Sequence, residues 1–169
     1  MNIKHLVRLA VLTAIALVIF TVEMQIPAIV PIPGVKLGLA NIITLVTMAV
    51  FRRRDAVAVL GMRIVLGAIF TGTLVSFVYS TAGGICCLVA MGAVIRKLPE
   101  KYLWAVSVVG ALAHNFGQLV AATAFVGTAA LWYVPALVIS AILTGLFTGI
   151  AACLSVGRLK VIFRKEDPQ

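Results

Sequence analysis

Residues 64–95 read IVLGAIFTGTLVSFVYSTAGGICCLVAMGAVI, and none of them is charged. As one helix, at about 1.5 Å per residue, the run would extend roughly 48 Å. A bilayer's hydrocarbon core is about 30 Å thick. The run is therefore too long for one crossing and must fold back, with Thr71-Gly72-Thr73 as the expected corner.

Outward from this stretch the composition agrees. The chain has 169 residues, is 63% hydrophobic and only 11% charged. Soluble domains are nearer half apolar and a quarter charged, so this chain cannot cover itself with polar surface in water. It reads as an integral membrane protein. Residues 6–22 form a first apolar span ending at Glu23, and residues 37–51 a shorter second one ending at Arg52-Arg53-Arg54. Spans at 56–71 and 74–95 flank the corner. Residues 102–157 are again free of formal charge and long enough for two crossings, 102–126 and 134–156, with a break among Gly127, Trp132, Tyr133 and Pro135. The expectation is an all-α, polytopic six-helix bundle forming one membrane domain over residues 1–169.

A net charge of +9 would suggest nucleic acid in a soluble protein. Here Lys and Arg gather between apolar blocks, as the positive-inside rule produces. Twelve of the fourteen lie at Lys4 and Arg8, Arg52–Arg54, Arg96 to Lys101, and Arg158 to Lys165. All fall on one side of a six-span arrangement, which puts both termini in the cytoplasm of a bacterial-type membrane. Anionic lipid, not nucleic acid, is the expected partner of these charges. The N-terminus has the basic start and apolar run of a signal peptide but no small-x-small cleavage site before Gln25, so it reads as a first helix. Cys86, Cys87 and Cys153 lie in apolar blocks without zinc spacing, and no metal or cofactor is expected.

Lys36 and Arg63 are the two cations that topology does not explain. Lys36 stands in Pro31-Ile32-Pro33-Gly34-Val35-Lys36-Leu37-Gly38-Leu39-Ala40-Asn41, whose prolines and glycines mark a shaped loop between the first two spans. Arg63 lies eight residues past Asp55, about 12 Å into the third span. An arginine at such depth costs roughly 2.5–3.5 kcal/mol on insertion scales, so it faces a cavity or a partner. Asn41 reaches a similar depth. His114, Asn115 and Gln118, at i, i+1 and i+4, are expected to share one face of the fifth span. Together Lys36, Asn41, Arg63, His114, Asn115 and Gln118 form a candidate substrate-binding set for an anionic or strongly polar group. Interhelical hydrogen bonding and an internal Glu23–Lys36 pair are the alternatives. Ala10-x-x-x-Ala14, Gly145-x-x-x-Gly149 and Gly83-Gly84 are small-residue spacings that permit close helix approach.

Three blocks carry a resemblance. Residues 33–45 (Pro33-Gly34-Val35-Lys36-Leu37-Gly38-Leu39-Ala40-Asn41-Ile42-Ile43-Thr44-Leu45), then Arg63 and Gly72 with Ser76 to Gly84, then Gly110 to Leu119, resemble the Gx transporter family, also known as heptaprenyl diphosphate synthase component I. That family is similar in size and helix count to the S components of energy-coupling factor transporters. The resemblance implies substrate binding near the outer end and a cap made by the first loop. It also implies docking of Ala10 and Ala14 on a transmembrane coupling subunit driven by two ATPases. The other name implies a membrane accessory to a soluble prenyl diphosphate synthase, and it also implies an isoprenoid-related substrate with an apolar tail and an anionic head for the capture role. Catalysis by the chain itself is not expected. Its acids are Glu23, Asp55, Glu100, Glu166 and Asp167, which supply no Asp-rich pair within a helix to hold Mg²⁺. No Walker-type phosphate loop is present, so ATP would be hydrolysed by a partner.

Overall fold

In the computed structural model, residues 3–26 and 36–166 are described. They form six α-helices: α1 (Ile3–Glu23), α2 (Asn41–Val50), α3 (Arg53–Thr71), α4 (Leu74–Val94), α5 (Leu103–Val126) and α6 (Val134–Glu166). Short 3₁₀ turns at Glu100–Tyr102 and Gly127–Tyr133 precede α5 and α6, and no strand occurs among the described residues.

The corner in the long uncharged run falls at Gly72. It caps α3 in the left-handed region with φ of 64°, and its N–H bonds the carbonyl of Ala68. Thr73 then returns to extended backbone and α4 begins at Leu74. Gly127, with φ of 75°, makes the equivalent break between α5 and the turn before α6. The second helix starts later than residue 37. Gly38 has φ of 81°, and the turn at Leu39–Ala40 follows it, so the α-helix begins only at Asn41. Ten residues give α2 about 15 Å, half the thickness of a hydrocarbon core.

The chain packs around α5, which lies between α4 and α6 along most of its length. Glycine makes these approaches possible. A Cβ on Gly117 would lie 2.5 Å from the carbonyl oxygen of Ala82 in α4. Cβ atoms on Gly145 and Gly149 would come within 2.6 and 2.5 Å of the Cα atoms of Val108 and Trp104 in α5. The Gly145-x-x-x-Gly149 spacing thus seats α6 on the bare backbone of α5. Ser107 and Thr148 share a hydrogen bond of 2.9 Å across the same crossing.

Outside, the bundle is apolar. Val18, Phe70, Val89, Phe116, Phe147 and Leu154 are all exposed. A water-soluble monomer rarely presents so large an apolar surface. Three described segments are long and apolar enough to cross a membrane: Ile3–Glu23, Leu74–Val94, and Glu100–Phe163, which holds both α5 and α6. Inside, by contrast, the bundle buries Glu23, Asn41, Arg63, His114, Asn115 and Gln118. A membrane protein turned apolar side out and polar side in has a reason for its interior.

Candidate functional site

The buried polar groups converge where α1 ends and α2 begins. Phe20 is the floor. Its ring, 3% exposed, lies 3.9 Å from the Lys36 ammonium and 5.6 Å from the Arg63 guanidinium, measured to the ring centroid. Both cations therefore rest on one aromatic quadrupole. Gly67 in α3 gives that ring its room, since a Cβ there would touch it at 3.0 Å.

The described part of the first loop is tied down by three polar contacts from three helices. Glu23, at the end of α1, accepts the Gly38 N–H. Gln118, in α5, accepts the Lys36 N–H at 3.1 Å. The Lys36 ammonium donates to the Ser76 hydroxyl, in the first turn of α4, at 2.7 Å. Burial pulls the Lys36 ammonium down to about 8, with the Glu23 charge acting to raise it and the Arg63 charge to lower it further. The internal Glu23–Lys36 pair is thus an electrostatic coupling, while the hydrogen bonds of the two side chains go elsewhere.

Arg63 donates to Asn41 Oδ1 at 3.1 Å, and Glu23 is near enough to oppose its charge. Buried ions cost several kcal/mol each to desolvate, so this grouping persists only because opposite charges and oriented dipoles share the site. Its formal balance is one carboxylate against two cations.

His114 completes the site, pinched between two glycines. A Cβ on Gly38 would fall 2.8 Å from its Cδ2, and one on Gly83 would fall 2.6 Å from its Cε1. Any side chain at either position would displace the ring. The ring makes one loose backbone hydrogen bond, to Gly83, and Nε2 is buried without a partner. Nδ1 lies by Gly83 and Nε2 by Gly38. The Asn41 amide nitrogen is likewise buried and unpartnered, and it too lies beside Gly38. Leaving such an atom unsatisfied costs about 1–3 kcal/mol.

Five of the six residues singled out in the sequence therefore meet here: Lys36, Asn41, Arg63, His114 and Gln118. Asn115 sits apart. Its amide nitrogen donates to the Leu137 carbonyl at 2.8 Å and to the Ser140 hydroxyl at 3.3 Å, which pins α5 to α6, while its Oδ1 is buried without a partner. Adjacent helical residues point about 100° apart, and that rotation separates Asn115 from His114. Phe20 and Ser76 were missed. Phe20 looks like any apolar residue of α1, and its spacing carries no signal of a cation perch. Pro31–Val35, the remainder of the expected cap, lie outside the described residues. Ala10 and Ala14 are both exposed on α1, while Ala16 is buried at 2%.

These features define a helical, membrane-type protein that buries a net-cationic polar cluster among apolar helices. The chain belongs to the heptaprenyl diphosphate synthase component I family, whose model matches residues 12–154. No curated protein and no solved structure matches it.

Proposed function

We propose that the chain is a membrane-embedded capture subunit that holds a small anionic or strongly polar substrate in the Arg63–His114 site. The observation that carries this reading is a pair of orphaned polar atoms, His114 Nε2 and the Asn41 amide nitrogen, buried side by side next to Gly38 in the site of Arg63 and Lys36. Each unmade bond is costly, and these two lie together beside two cations, where one ligand could reach both. A ligand bearing an anionic group and further hydrogen-bonding atoms would satisfy them.

In this reading the six helices form one membrane domain, α2 reaching through only half of it and the preceding loop filling the rest of that crossing, with the basic clusters and both termini in the cytoplasm. The site then faces the outer side, where Lys36 and Gly38 lie over it. Resemblance to energy-coupling factor S components supports a transport role, with Ala10 and Ala14 offering a smooth exposed strip to a coupling subunit. Substitution of both alanines by Leu should abolish co-purification with a transmembrane partner while leaving ligand affinity unchanged. Association that survives the substitution removes this strip from the reading.

Family membership favours a second reading. The chain would be a non-catalytic membrane component that recruits a soluble prenyl diphosphate synthase through its basic loops. Gentle purification from the native membrane separates the two. A transporter subunit with a bound small molecule supports capture, and a synthase with neither supports recruitment.

A further inference from the structure

At the basic end of the bundle a cavity of about 590 Å³ opens among the end of α2, the start of α3 and the link between α4 and α5. Its polar wall is Arg52, Arg53, Arg54 and Arg96, and its apolar wall includes Met48 and Leu98. Sidedness rules account for positive charge at this end of the chain, but they do not require a cavity, nor that all four cations lining it be arginine. Arginine's planar fork matches phosphate oxygens two at a time, whereas lysine offers only a point charge.

Two further observations point to an anion. Arg52, Arg53 and Arg54 occupy the N-cap and first turn of α3, the positive end of a helix of 19 residues. Cations there oppose the helix dipole, which favours anions instead. The one acid in that turn, Asp55, is occupied by His5 at 3.0 Å and by the Arg52 N–H at 3.0 Å. The one acid in the cavity wall, Glu100, is paired with Lys160. Arg53 spends one N–H on the Gly92 carbonyl, which fixes its guanidinium against α4. The wall is therefore a cluster of guanidinium groups whose neighbouring carboxylates are already engaged.

We infer that this cavity binds the phosphate or diphosphate head of an apolar-tailed lipid, with the arginines on the head and the Met48–Leu98 wall against the first carbons of the tail. The volume suits a headgroup, lying within the usual range of roughly 300–1,000 Å³ for small-molecule sites. The inference is independent of the capture site, which lies among Phe20, Lys36 and His114.

The test uses the full chain in neutral detergent, with binding read by native mass spectrometry and by thermal shift. The probes are phosphatidic acid, a prenyl diphosphate, and phosphatidylcholine as the zwitterionic control. Wild type should bind at least one of the first two with an affinity at least tenfold above phosphatidylcholine, and the preferred probe identifies the source of the head. The Arg52→Gln/Arg96→Gln variant should lose at least tenfold, and Arg52→Lys/Arg96→Lys a smaller amount, because charge remains but the fork is gone. Lys97→Gln/Arg158→Gln removes equal charge from outside the cavity wall and should bind as wild type does. Equal losses in the two Gln pairs, or no preference for either phosphate-headed probe, would overturn the assignment.

Discussion

Replacing Gly38 by Ala tests the geometry of the proposed capture site with a single methyl group. Two costs add at this position. The backbone has φ of 81°, a conformation that an L-residue adopts at about 1–2 kcal/mol. The new Cβ would also press on the Asn41 amide nitrogen and on His114 Cδ2, each 2.8 Å away. Asn41 can rotate its amide, but the His114 ring cannot retreat, because the Gly83 backbone closes its other side. Overpacking of this kind costs roughly 1–3 kcal/mol. The sum is on the order of 2–5 kcal/mol. Gly72→Ala supplies the reference. Its φ of 64° carries the same backbone penalty, but nothing lies within 4 Å of its Cβ. Measured by reversible unfolding in mixed micelles, Gly38→Ala should be less stable than Gly72→Ala by about 1–3 kcal/mol. Equal losses would mean that the imidazole is not clamped, and the reasoning about its orphaned Nε2 would fall with it.

Other outcomes follow from the same contacts. Affinity for an anionic ligand should fall as pH rises through about 8, because the Lys36 ammonium is then lost. The midpoint should disappear in Lys36→Met, as read by calorimetry across pH 6–10 on the order of one unit per step. Arg63→Met leaves Glu23 buried without its main counter-charge and should cost roughly 3–5 kcal/mol, while Arg63→Met with Glu23→Gln should recover part of that loss in a double-mutant cycle. Gly149→Leu should splay α6 from α5, because its Cβ position is 2.5 Å from Trp104 Cα; crosslinking of cysteines placed across that crossing should drop severalfold.

Much of the fold was legible because hydrophobic run length and glycine position are local signals. The uncharged run of residues 64–95 required a corner, and Gly72 is where left-handed backbone makes one. The late start of α2 was not legible, because a positive φ at Gly38 depends on what surrounds it: Glu23 takes its N–H, and His114 leaves no room for a Cβ. At the site, the out-of-place polar residues were easy to find, since charge and amide groups are conspicuous in apolar sequence. Their partners were harder. Asn115 shares a helical stretch with His114 yet turns to α6, and Phe20 became part of the site only through the fold. The arginine cavity was hidden for the opposite reason, because topology already accounted for its charges.

The central claim is that Arg63, Asn41 and His114 form a ligand site and not a self-contained polar core. Native mass spectrometry of protein released gently from its own membrane tests it most directly, comparing wild type with Asn41→Ala/His114→Ala and with Asn115→Ala. The account predicts a small polar molecule retained by wild type and by Asn115→Ala and lost from the Asn41→Ala/His114→Ala variant. Retention by all three, or a wild-type protein that carries no such molecule and comes away only with a synthase, would contradict it.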